Sequence, residues 1–162
     1  MKENKNNVSI VGFKPEHALR VSHIIRKVEK MVLVHYYSAE IVHQFYIFNS
    51  KKEVLKKSKN RKLYVAVKNK KIVGVIGVKN NEVKTFYVDP SYHGQGIGRK
   101  LFEHVEKIII RKGFDNGIVH SSLYAVQIYK KFGFKRIKKE RKYIGGHVYY
   151  DILMRKNYET TV

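Results

Sequence analysis

Three glycines alternate at Gly94, Gly96 and Gly98, between an apolar run and an amphipathic one, and no other segment constrains this chain as much. Phe86-Tyr87-Val88 reads as the end of a strand, Asp89-Pro90 as a turn. From Gly98 to Lys112 the apolar residues Leu101, Phe102, Val105, Ile108 and Ile109 recur at helical spacing, and Gly113 stops the helix. A glycine loop lets backbone approach a ligand closely, and a helix start offers unpaired N–H groups at the positive end of its dipole. Strand, glycine loop and helix in that order therefore predict an anion cradle, most simply for a phosphate or pyrophosphate. Arg99 and Lys100 add positive charge at its edge.

Two common phosphate loops do not fit. The P-loop needs four residues between its glycines and then Gly-Lys-Ser/Thr, whereas Arg99, Lys100 and Leu101 follow Gly98. The dinucleotide fingerprint needs a glycine where Arg99 stands and follows the first strand of a βαβ unit, not a late one.

Periodicity supplies the rest of the order. Val8–Gly12 is a strand, and Pro15-Glu16 opens a helix of about 15–32 through Val21, Ile24, Ile25, Val28 and Val32. Ser38 caps a second helix, and Ser50 with Glu53 forms a capping box for a short third through Leu55. Leu63–Val67 and Ile72–Val78 form a hairpin about Asn69-Lys70-Lys71, and Asn80-Asn81 turns into the strand Val83–Val88. After the glycine-loop helix come a strand at 117–120, a helix from Ser121 or Ser122 through Phe132, and an antiparallel pair, 134–140 and 143–155, turning near Gly145-Gly146. The order is β-α-α-(α)-β-β-β-α-β-α-β-β, a mixed α/β pattern.

The 162 residues are expected to form one domain, 1–162, with its core at about 8–156. There is no cysteine, which excludes disulfides, thiolate metal sites and a cysteine nucleophile. The polar start, residues 1–7, lacks the apolar stretch of a signal peptide, and no run approaches a membrane span, so a soluble cytoplasmic protein is expected, with no membrane partner. Thirty-four Lys plus Arg against thirteen Asp plus Glu give a net charge of +21. Such a chain attracts anions, nucleic acid among them. The basic residues are spread from Lys2 to Lys156 and are mostly Lys, which reads as a solvated surface rather than a dedicated arginine reader. Eight histidines show no His-x-x-x-His pair and no His/carboxylate cluster, so no metal is expected.

The stretch Val88-Asp-Pro-Ser-Tyr-His93-Gly94-Gln95-Gly96-Ile97-Gly98-Arg99-Lys-Leu resembles the acetyl-CoA pyrophosphate loop of the GNAT N-acetyltransferase superfamily, with His93 where Gln or Arg is usual. A second stretch, Ser121-Ser122-Leu-Tyr-Ala125-Val-Gln-Ile-Tyr129 followed by Gly133-Phe134, resembles that family's later motif, with Ser122 in the Asn place. The resemblance implies a central mixed, largely antiparallel sheet in which strands four and five run parallel and splay, with helices on both faces. It implies direct acetyl transfer from acetyl-CoA, the co-substrate, to an amine of a small molecule or protein. The loop residues His93, Gly94, Gln95, Gly96, Gly98 and Arg99, with Ser122, would hold CoA. The backbone of Phe86, Tyr87 and Val88 would pair with its pantetheine arm and polarise the thioester. Tyr129 would protonate the departing thiolate.

For the base that deprotonates the amine, Glu82 on the fourth strand is the first candidate, with His120 and His35 as alternatives. His35-Tyr36-Tyr37-Ser38 and Glu40 occupy the segment that walls the acceptor pocket in that family. The low acid count weakly disfavours a strongly cationic acceptor, and family habit makes a homodimer an expectation. Two other readings remain: a nucleic-acid-binding protein on the same fold, motivated by the charge, and a CoA sensor without turnover.

Overall fold

In the computed structural model, which describes residues 7–159, seven strands form one sheet in the order β1-β2-β3-β4-β5-β7-β6. These are β1 (Val8–Gly12), β2 (Lys62–Lys68), β3 (Lys71–Lys79), β4 (Glu82–Val88), β5 (Asn116–Ser121), β6 (Lys135–Ile144) and β7 (His147–Asn157). The helices are α1 (Ala18–Val32), α2 (Ala39–Phe48), α3 (Lys51–Ser58), α4 (Ile97–Arg111) and α5 (Val126–Lys131). The polar start at residues 1–6, with Lys2, lies outside the described residues. Every neighbouring pair is antiparallel except β4 and β5, which run parallel. The mixed, largely antiparallel sheet expected above is thus the fold.

The two faces are covered separately. Ala18, Val21 and Ile25 of α1 pack with Val54 of α3 on Val65 and Val75. On the other face Ile97, Leu101, Phe102, Val105 and Ile109 of α4 meet Ala66, Val73, Ile76, Val83 and Val119. Central β3 is therefore buried on both sides and reads as a continuous apolar run. Its glycines are spacers rather than weak points: a Cβ on Gly74 would lie 2.9 Å from Leu101 Cδ1, and one on Gly77 would lie 2.8 Å from Lys84 O.

Two irregularities shape the site. Parallel pairing of β4 with β5 covers only Glu82 with Ile118 and Val83 with Val119, after which the strands part. Between Val75 and Gly77 the β3–β4 register slips, and Thr85 takes a left-handed φ of 54°. A β-branched residue rarely adopts that conformation. Arg61 steadies it, donating from a guanidinium N–H to Thr85 Oγ1 at 3.0 Å.

Several expected boundaries move, two of them around the site. The helix expected from Ser121 or Ser122 through Phe132 is only the six residues of α5, because Ser122 Oγ accepts from the Ala125 N–H at 3.3 Å and closes a turn first. The pair expected at 134–140 and 143–155 is longer on its first strand: β6 runs unbroken to Ile144, pairing Glu140 with Asp151 and Lys142 with Tyr149.

Candidate active site

Where β4 and β5 part, a cavity of about 740 Å³ runs from the glycine loop between the strands to the inner side of α1, α2 and α3. At the loop end Gly94 and Gly96 have φ of 75° and 77°, a conformation glycine takes without cost, and Gly96 caps α4. The first α4 amide to find a carbonyl is that of Lys100, bonded to Gly96 O at 3.1 Å. The earlier amides are left for a ligand. The His93 ring is turned toward the strand: its Nε2 donates to the Val88 carbonyl at 2.8 Å and folds the loop back on the strand end. Asp89 fixes the same corner, accepting from Arg20 at 2.6 Å, Lys27 at 2.8 Å and the Ser91 amide at 3.0 Å. Burial opposes its ionisation, but Lys27, Ser91 and Arg20 outweigh burial and hold the carboxyl down at about 2.

His93, Gly94, Gly96, Gly98, Ser122 and the strand residues Phe86, Tyr87 and Val88 all line the cavity. Gln95 and Arg99 sit at its margin: Gln95 Oε1 accepts from Lys68 Nζ, and Arg99 lies exposed beside Glu103 and over the Phe132 ring. Tyr129 lines the cavity from α5, tilted against Phe86 and packed edge-on to Phe134. Burial pushes its hydroxyl above the ordinary phenol range, so it holds its proton firmly.

The far half of the cavity has a mixed wall. Val28, Leu33, Phe45, Phe48 and Tyr149 supply apolar surface, and Glu29, Asn49, Lys57, Arg61, Glu82, Lys84 and His120 supply polar groups. Tyr37 braces this wall: its hydroxyl donates to Tyr150 O and accepts from the Leu123 amide, each at 2.9 Å. His35 and Glu40 stay exposed and outside the lining. Glu40 serves the start of α2, its carboxyl lowered by its own backbone N–H and by Ser38.

Glu82 and His120, separate candidates in sequence, come together. Glu82 Oε1 lies 2.9 Å from Lys84 Nζ and 3.8 Å from His120 Nε2, and the opposite ring nitrogen of His120 is 3.3 Å from Glu140. His120, Glu140 and Asp151 form the His/carboxylate cluster that sequence spacing did not show, because three different strands contribute to it. Lys142 already supplies a cation there, 2.8 Å from Glu140. Glu29, Asn49, Lys57 and Arg61 went unnoticed for the same reason, since their neighbourhood is made by helix packing and not by spacing.

The comparisons with known proteins agree with this geometry. Over 74 residues the chain is 34% identical to a peptidyl-lysine N-acetyltransferase, YjaB, of Salmonella typhimurium; the match takes in 45% of this chain and spans about half the length of that relative. A GCN5-related N-acetyltransferase from Rhodopseudomonas palustris superposes with a TM-score of 0.88 at 19% identity, covering 97% of this chain and 99% of that one. The PaiA N-acetyltransferase of Thermoplasma acidophilum, solved with coenzyme A, superposes with a TM-score of 0.72 at 20% identity, covering 94% and 99%. A family model described as the acetyltransferase (GNAT) domain matches residues 32–150, and the chain therefore belongs to the GNAT acetyltransferase family.

Proposed function

We propose that this protein transfers the acetyl group of acetyl-CoA directly to an amine. The observation that carries the reading is the continuity of the cavity, which joins the glycine loop to the α1–α3 side through the opened β4/β5 seam. A CoA molecule with its pyrophosphate on the amides of Gly94–Gly98 would thread its pantetheine arm along Phe86–Val88. Its thioester would then sit beside Tyr129. Backbone N–H groups of β4 stabilise the developing oxyanion, and the protonated Tyr129 hydroxyl neutralises the departing thiolate. Glu82, backed by His120, serves as a proton acceptor in the far half. Ser122 shapes the turn beside the arm, while Gln95 and Arg99 contribute positive and polar surface at the mouth. A cytoplasmic setting goes with this reading.

The acceptor is an amine of a small molecule or protein. The Salmonella relative is named for peptidyl-lysine, which makes a lysine-containing peptide the first acceptor to test. Calorimetry with acetyl-CoA, followed by thiol release across a panel of amines that includes such a peptide, tests the proposal. Binding together with amine-dependent thiol release is expected. No binding at low-millimolar acetyl-CoA would sink it, and binding without thiol release would leave a CoA sensor. Nucleic-acid affinity with a steep salt slope, indifferent to CoA, would favour the nucleic-acid reading.

A further inference from the structure

Glu29 is the one acid on the inward side of α1, 1% exposed and in line with Ala18, Val21, Ile25 and Val28. Burying a carboxyl is costly unless hydrogen bonds or a cation compensate it. Compensation here is partial. Asn49, just past the end of α2, donates from Nδ2 to Glu29 Oε1 at 2.7 Å, and Lys57 of α3 reaches the carboxyl only through Asn49, donating to Asn49 Oδ1 at 2.6 Å. The second oxygen, Oε2, is buried and has no close hydrogen-bond partner among the described residues, although the Tyr87 hydroxyl lies near enough to pull on the same carboxyl. Glu29 nevertheless lines the cavity, on its α1 side with Asn49, Lys57 and the β4 residue Tyr87.

A natural fold seldom leaves such an oxygen unpaired without a reason. Glu82, by contrast, has Lys84 as a close ion-pair partner. An amine reaching the thioester as an ammonium must lose one proton before attack and a second after the C–N bond forms. We propose that Glu29 is a catalytic residue of the acetyltransferase reading above, on which this inference rests: its Oε2 takes the first proton from the acceptor ammonium.

The steps balance. R–NH₃⁺ and Glu29 carboxylate give R–NH₂ and Glu29 carboxylic acid. The amine lone pair then forms the C–N bond to the acetyl carbon, and the C–S bond breaks. The second nitrogen proton passes to Glu82, and Tyr129 protonates the thiolate. Glu29, Glu82 and Tyr129 return to their starting states by exchange with water once the products leave, with a net release of one proton. Desolvation lifts the Glu29 carboxyl to about 8, against the opposing pull of Lys57 on α3, Arg26 on α1, Asn49 after α2 and Tyr87 on β4. A base titrating near the working pH is well matched to proton transfer.

The test compares wild type with Glu29→Gln, which still accepts from Asn49, and with Glu29→Asp, which keeps the carboxyl. Infrared difference spectra of wild type against Glu29→Gln need no acceptor. They should show a carboxylic-acid band at about pH 6 that is gone by about pH 10. With acetyl-CoA and a lysine-containing peptide, kcat/KM of wild type should rise through about 8 and level off before the amine's own pKa of about 10, since Glu29 supplies free amine below that pH. Glu29→Gln should lose the rise near 8, climb only as free amine appears, and turn over about 100-fold more slowly at about pH 7.5. Glu29→Asp should keep the rise and plateau at reduced height, and Glu82→Gln should keep the limb near 8. Absence of the infrared band, or an unchanged rise near 8 in Glu29→Gln, overturns the role of Glu29 while turnover upholds the acetyltransferase reading. A band that titrates as expected in a protein that acetylates no amine of the panel overturns both.

Discussion

His93, the irregular residue of the loop, finds its place in the bond to Val88 O, which ties the loop to the strand it leaves. Gln or Arg at that position would offer a longer reach; histidine offers a short, stiff brace. Tyr129 is legible from its motif, and burial keeps it protonated. Tyr129→Phe is expected to lower kcat by about 10–100-fold with acetyl-CoA affinity nearly unchanged, a split that steady-state kinetics with calorimetry will show. Glu29 was not legible. Val28-Glu29-Lys30 reads as an ordinary helix margin, and only the packing of α2 and α3 over it excludes water.

That burial has a consequence for stability. The folded pKa of Glu29 lies above its unfolded value, 4.5 against about 8, so its contribution is complete below about 4.5 and is lost as pH rises through 8. Lys57 acts oppositely: burial lowers it from 10.5 to about 8, so its contribution is regained only as pH rises toward 10.5. Wild type should therefore be least stable near pH 8. Glu29→Gln should gain on it between about pH 5 and pH 8, by at most roughly 5 kcal/mol, in urea melts across that range.

At the scale of elements, caps and breakers were the readable signals. Ser38 and Ser50 each accept from the amide three residues on, as their positions before α2 and α3 implied. β6 was harder: its strand was expected to end at Glu140, and the charged Arg141 and Lys142 carry the pairing on to Ile144. It is an edge strand, where charged residues are tolerated and discourage edge-to-edge association. The short α5 was misjudged because Ser122 closes its own turn instead of capping the helix. Asp89 couples three elements, joining the end of β4 and the turn after it to α1. Asp89→Asn should cost about 1–3 kcal/mol, below the full price of breaking a buried pair because Arg20 and Lys27 are 40% and 42% exposed. It should also weaken acetyl-CoA binding; thermal melts and calorimetry check both. The folded pKa of Asp89 is depressed from 3.8 to about 2, so this stabilisation is present above 3.8 and is lost as pH falls through 2.

For the molecule as a whole, the element order and the glycine loop were readable because periodicity, caps and glycines are local in sequence. The far half of the cavity was not, since Glu29, Lys57, Glu82 and His120 come from four separate elements and Asn49 from the joint between α2 and α3. Among the described residues no helix is long and apolar enough to cross a membrane. The two-pair seam between β4 and β5 divides the sheet into a four-stranded and a three-stranded half with little ladder between them. Such a sheet is unsaturated: it has backbone groups to spare until something extended lies between its halves. A pantetheine arm carries amides of its own, so it would act as a missing strand, and the bound protein would melt as one cooperative unit. Hydrogen exchange with CoA added should show protection rising most at residues 86–88 and 119–121. Uniform protection across all seven strands would count against it. Seen this way the co-substrate is also a structural part, and the cell's acetyl-CoA supply would set how firmly the two halves hold together.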